Sequence, residues 1–384
     1  MNSAIRRLWT SLIALSVVLS ANSALSAEKT TKNKMRRIYK DLEAVFPLAV
    51  QEGQFANKKN KARIEQGLRN LEKDVADLNR HGTKKRDVAF VFLSYSLEET
   101  AAQARQAFQK GHYDEAGQLI RNLTDYCISC HSMQAGDKSS GFSAGFTKIE
   151  GTSKLSLMQK VRLQIATRQF VAAMDSWEAL LDDPHYGTPM MIPGDPFLDY
   201  LIVTLRVRKE PARALKSVQR LLKKPEIPGY LRESLQSWEV ALKKIIADPT
   251  LRKANLPTAR RAMDAGRRIM ETPFDRAGLI WYLHGSGLLM EYIQTRPKDR
   301  DKVAEAWYLL AMTELMTGRS LWLSKAMNYL ETTIMVAPNS RWGKKALNMM
   351  EEHLVIYFHS MDRNDEESKR FNRRLKRLRD LVAS

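Results

Sequence analysis

The sequence predicts an all-α protein, a four-helix bundle followed by an α-solenoid of paired helices. Three observations carry this. Apolar residues recur at spacings of three and four through four successive segments before residue 127, a twelve-residue stretch recurs at an offset of 41, and no strand-rich segment precedes residue 127. A chain of 384 residues exceeds one ordinary domain.

Residues 1–27 read as an export signal. Arg6 and Arg7 give a positive start, Leu8 to about Leu19 an apolar run, and Ser20 to Ala27 a stretch of mostly small residues. The run is shorter than the roughly 20 residues a spanning helix needs. No cysteine stands at the junction, which argues against lipid anchoring. Cleavage after Ser26 or Ala27 lowers the formal charge from +19 to about +17.

Four helices are expected next, over residues 28–135. Met35, Ile38, Leu42, Val45 and Phe46 line the first. Ile64, Leu68, Leu71, Val75 and Leu78 line the second, which His81-Gly82 is expected to stop. Asp87 is a candidate cap for the third, which runs through Phe90, Leu93, Leu97, Ala101, Ala104 and Phe108 to Gly111. The fourth runs from about Tyr113 through Ala116, Leu119, Ile120 and Leu123. Short links between them favour an antiparallel bundle.

The fourth segment ends in Cys127-Ile128-Ser129-Cys130-His131, which holds the only two cysteines of the chain. Cys-x-x-Cys-His is the pattern of covalent c-type haem attachment. On one helical turn the two sulfurs point the same way and can add to the two vinyl groups of one haem. His131 then lies where an imidazole nitrogen reaches the iron as proximal ligand. A redox dithiol would call for a βαβ setting, and a zinc site for two more ligands at suitable spacing. The other histidines are scattered singly.

Four helices with the motif near the end of the last resemble the cytochrome c′ family, the class II cytochromes, over roughly residues 33–135. Class I cytochromes carry the motif near the N-terminus. The resemblance implies a four-helix haem-binding bundle in which the first helix covers the distal face of the iron. Met35, early in that helix, is then the candidate distal ligand, with an ordinary core methionine as the alternative. Phe46, Phe90, Phe92 and Tyr95 read as core or haem-packing residues.

Residues 136–154 are rich in Gly, Ser and Lys and read as a linker, although Phe142 and Phe146 suit packing. Beyond it, Ala173 to Pro184 matches Ala214 to Pro225: the Ala, the Ser, the Leu pair and the Pro coincide. A third copy is Ala326-Met327-Asn328-Tyr329-Leu330, closed by Pro338. With Trp307, Leu310 and Ala311 at first-helix positions, this third unit resembles a tetratricopeptide repeat. The turn is longer than usual and Thr333 replaces a small Ala; the other two units match only in their second helices. Residues 257–295 are expected to add further helix pairs. The region 155–384 is thus expected to form a TPR-like solenoid, whose exposed faces bind proteins. Its tail, Lys369 to Arg379, is a basic amphipathic helix with an apolar seam of Phe371, Leu375, Leu378 and Val382. It suits an anionic lipid surface, an acidic partner, or the closing turn of the solenoid.

These readings converge on an exported, periplasmic c-type cytochrome with one haem c, held by Cys127, Cys130 and His131. Its expected work is electron transfer, with the repeats docking an acidic redox partner protein. Export makes nucleic acid a poor partner for the positive charge. No phosphate loop, metal cluster or triad order in the second half suggests an enzyme. A haem-based gas binder or sensor, and a scaffold subunit of an envelope complex, are the competing readings.

Overall fold

A computed structural model describes residues 31–85, 88–132, 155–183, 196–271, 275–295, 297–317, 322–358 and 366–384. The export-type segment, the Asp87 cap, and the stretch with Phe142 and Phe146 lie outside them. Among the described residues the chain is all-helical, without strands. The chain divides into two compact units, one of residues 1–87 and 94–121, the other of residues 88–93 and 122–384.

The first unit holds α1 (31–49), α2 (Lys61–Lys85), most of α3 (Val88–Gln109) and the beginning of α4 (Tyr113–His131). The apolar stripe of α2 is wholly buried: Ile64, Leu68, Leu71, Val75 and Leu78 are each at most 1% exposed. Gly67 lets α1 come close, since a Cβ there would stand 2.4 Å from Val45 Cγ1. Arg105 pairs with Glu72 at 2.5 Å and Gln109 donates to Glu65 at 3.1 Å, joining α3 to α2. The guanidinium of Arg121 on α4 donates to the Ala49 carbonyl at the end of α1.

The α3 stop agrees with its sequence signal. Gly111 takes φ +85°, while His112 N–H donates to Ala107 O (2.9 Å) and Gly111 N–H to Phe108 O (3.1 Å). That pairing closes a Schellman cap on a left-handed residue. The expected stop of α2 at His81-Gly82 is corrected: the helix continues to Lys85. A glycine inside a helix costs only about 1 kcal/mol, which the packing of so long an apolar stripe outweighs.

The second unit is built from helices that pack in consecutive pairs: α5 (Leu157–Ala166) on α6 (Phe170–Asp182), α8 (Pro211–Leu222) on α9 (Gly229–Ala247), α10 (Leu256–Ile269) on α11 (Leu279–Gln294), and α12 (Arg300–Thr317) on α13 (Trp322–Val336). Between α6 and α8 lie α7 (Pro196–Ile202) and a π-helical segment, Val203–Val207. Then α14 (Arg341–Phe358) and α15 (Glu366–Ala383) complete the unit. This pairing is the arrangement of an all-α solenoid.

The repeated residues share one register. Ala173, Trp177 and Leu180 of α6, and Ala214, Val218 and Leu221 of α8, are all buried. Trp177 stacks on Tyr200 (centroids 4.3 Å apart), whose hydroxyl lies 2.8 Å from the Ser217 hydroxyl. Ala326 is wholly buried on α13, and Trp307 of α12 lies against Tyr329 at 5.4 Å. On α15, Leu375 and Leu378 enter the apolar core formed with α10 to α14. The basic tail therefore closes the solenoid with its apolar seam and keeps Arg373, Lys376 and Arg377 outward.

Candidate functional site

The division between the units falls inside α4, after Arg121. The last turns of this helix belong with the second unit, and so does the whole Cys-x-x-Cys-His sequence. Ile128, 2% exposed, enters the same core cluster as Val161, Ile165, Phe170 and Trp177, with Cys127 packed at its border. Arg162 of α5 forms an ion pair with Asp125, two residues before Cys127.

Cys127, Cys130 and His131 are brought together on the final turn of α4, each half-buried. Spacings of three and four residues put all three on one helical face. Cys127 and Cys130 form no disulfide. Burial pushes the Cys127 thiol up to about 12. A redox-active dithiol or a zinc thiolate needs a displacement in the other direction.

His131 Nδ1 lies 2.7 Å from the carbonyl oxygen of Ala166, at the end of α5. A carbonyl only accepts, so Nδ1 carries the proton and donates it. In a neutral imidazole this leaves Nε2 with its lone pair, the arrangement in which histidine binds a metal. Burial, and then the nearby Arg168 guanidinium, push the His131 pKa down to about 4, against the bond to Ala166, which raises it. The ring is therefore neutral at physiological pH. Arg168 itself has φ +61°, an uncommon conformation for a non-glycine residue, directly after α5. Two thiols on one face with a neutral, oriented imidazole one residue on fit a covalent haem.

Met35 is half-buried on α1, in the first unit. Its neighbour Lys34 pairs with Asp77, and Arg37 pairs with Asp74 (3.1 Å) and Asp77 (2.7 Å). Two other histidines have described side chains: His284 is buried with Nε2 2.8 Å from Leu251 O, and His112 pairs with Glu115. Among the described residues no group of three or more His, Cys, Asp or Glu is placed to hold a metal ion, and no helix is long and apolar enough to cross a membrane.

Sequence reasoning missed the other groups that touch the motif. The Ala166 carbonyl is backbone and carries no sequence signal. Lys325, 1% exposed on α13, places Nζ 3.4 Å from the Ser129 carbonyl. Lys325 and Arg206 both reach Glu314, at 3.6 and 2.7 Å. A signal for this group was present: Arg206 interrupts the apolar run Leu201 to Val207, and Glu314 sits between Ala311 and Met316 in a similar setting.

Comparison of the chain with protein-family models, with curated proteins and with solved structures finds no match.

Proposed function

We propose that the chain is an exported c-type cytochrome that carries one haem c and transfers electrons. The observation that carries this reading is the hydrogen bond from His131 Nδ1 to Ala166 O at 2.7 Å, one residue after a Cys-x-x-Cys pair on the same helical face. Covalent haem supplies a one-electron couple. Cys127 and Cys130 would anchor it by adding their S–H bonds across its vinyl groups, without net oxidation. His131 would offer Nε2 to the iron, and the Ala166 carbonyl would hold the ring and make its nitrogen more basic. Ile128, in the core behind the motif, would keep the turn in place.

Met35 as distal ligand rests on the resemblance to class II cytochromes alone. Docking of an acidic redox partner rests on the charge of +19 and on the exposed basic face of α15.

The test is expression with its leader in a host that matures c-type cytochromes. A haem stain that survives denaturing electrophoresis is expected, and the Cys127→Ala/Cys130→Ala variant should abolish it. The reduced spectrum is expected to be low-spin and indifferent to carbon monoxide, and Met35→Ala should convert it to a gas-binding, high-spin form. An exported wild-type protein without haem ends the proposal. A wild-type spectrum that responds to the gas favours the gas binder instead.

A further inference from the structure

We infer that the buried charges Arg206, Glu314 and Lys325 form a clamp by which the helical repeats hold the haem-attachment turn and set its reduction potential. The inference rests on the haem reading above and specifies how that site is regulated.

The side chains of Arg206 and Glu314 are 0% exposed and that of Lys325 is 1%. Taking an ion out of water costs several kcal/mol, and apolar residues of the same volume often serve a core as well or better. Stability alone therefore accounts poorly for three charges in one place. Position accounts for them better. Arg206 Nε donates to Ser286 Oγ on α11 at 2.7 Å, and Nη1 to Glu314 on α12 at 2.7 Å. Lys325 on α13 meets the same carboxylate and continues to Ser129 O, between the two cysteines. Four elements of the repeat region are thereby tied to one carbonyl in the last turn of α4. The Ser129 carbonyl, which also accepts from the Ser132 hydroxyl at 3.3 Å, lies at the negative end of the helix dipole, so an ammonium group suits that place.

The backbone at Arg206 supports a specific purpose. It lies in the π-helical segment, and Gly287 of α11 packs against it so closely that a Cβ would stand 3.1 Å from Arg206 O and 3.2 Å from its Cα. Single π turns inside helices are frequent at functional sites. Arg206 Nη1 and Lys325 Nζ both reach the buried Glu314 carboxylate. A haem at Cys127 and Cys130 loses one positive charge on reduction. Buried positive charge beside it favours the reduced form and buried negative charge the oxidised form, because the local dielectric is low.

The two ends of the clamp therefore make opposite predictions. In the purified holoprotein, Lys325→Met should lower the midpoint potential and Glu314→Gln should raise it. The Lys325→Met/Glu314→Gln double variant restores the wild-type charge balance and should return close to the wild-type potential. Lys298→Met, at an exposed lysine, is the control and should not move it. Haem content per chain and circular dichroism establish that each variant is loaded and folded. If a single variant does not fold, the double variant against Glu314→Gln carries the comparison. A second readout needs no haem: in chain made without its leader, maleimide labelling of Cys127 and Cys130 should run about tenfold faster in Lys325→Met than in wild type. Opposite shifts of potential with faster labelling sustain the clamp. Shifts of the same sign, or none in loaded protein, overturn it and leave the haem reading standing. Wild-type protein without haem overturns both.

Discussion

At the scale of the residue, a single proton decides what His131 can do. The Ala166 carbonyl fixes it on Nδ1, and burial keeps the ring neutral. Asp41 shows the same physics in the first unit with the opposite charge. Burial, then the neighbouring Asp74 carboxylate, push its pKa up to about 7, with Arg37 opposing. A carboxyl raised in this way holds its proton longer in the folded chain than in the unfolded one. Its contribution is fully present below about pH 4 and is lost as the pH rises toward 7. Asp41→Asn should therefore be more stable than wild type at pH 8 and similar to it at pH 4. The full shift corresponds to about 4 kcal/mol, but the site is half-exposed and solvent screens it, so about 1 kcal/mol is the expected gain. Urea-unfolding midpoints at pH 4, 6 and 8 measure it, and parallel pH profiles for the two proteins would refute it.

At the scale of the element, the close approach of α1 to α2 depends on one missing methyl group. Gly67 to Ala improves helix propensity by about 1 kcal/mol. The new Cβ would meet Val45, which is wholly buried and stiff at its branched Cβ. Overpacking of this kind costs about 1–3 kcal/mol, so Gly67→Ala should lower the thermal midpoint and Val45→Ala should relieve part of the loss in the double variant. A Gly67→Ala protein as stable as wild type would count against the packing. Elements of this kind were largely legible. The stripe from Ile64 to Leu78 reads as a helix face and is one, and Gly111 reads as a stop and takes the left-handed turn. Gly82 misled because a residue's intrinsic preference is weak against the packing of a long helix. The clamp was not legible as a group, because Arg206, Glu314 and Lys325 stand far apart in sequence and a charged letter does not state its burial.

At the scale of the whole molecule, the motif is local in sequence but its support is not. The sequence predicts a haem domain over residues 28–135, and the described contacts of the last turns of α4 lead to the second unit: Arg162, the Ala166 carbonyl, Lys325 and the core around Ile128. No spacing rule could announce this, since the helix passes from one unit to the other without a break in its periodicity. A fragment ending at residue 135 therefore keeps both cysteines and His131 but loses these partners. Exposing a buried Ile costs about 1.5–3 kcal/mol, and losing the acceptor of Nδ1 about 1 kcal/mol more. In a host that matures c-type cytochromes, the 28–135 fragment is expected to acquire covalent haem, because attachment reads the motif itself. Protease should then cut the 122–132 segment at least tenfold faster than in the full chain. A fragment with the protease resistance of the full chain would mean that residues 28–135 position the site by themselves.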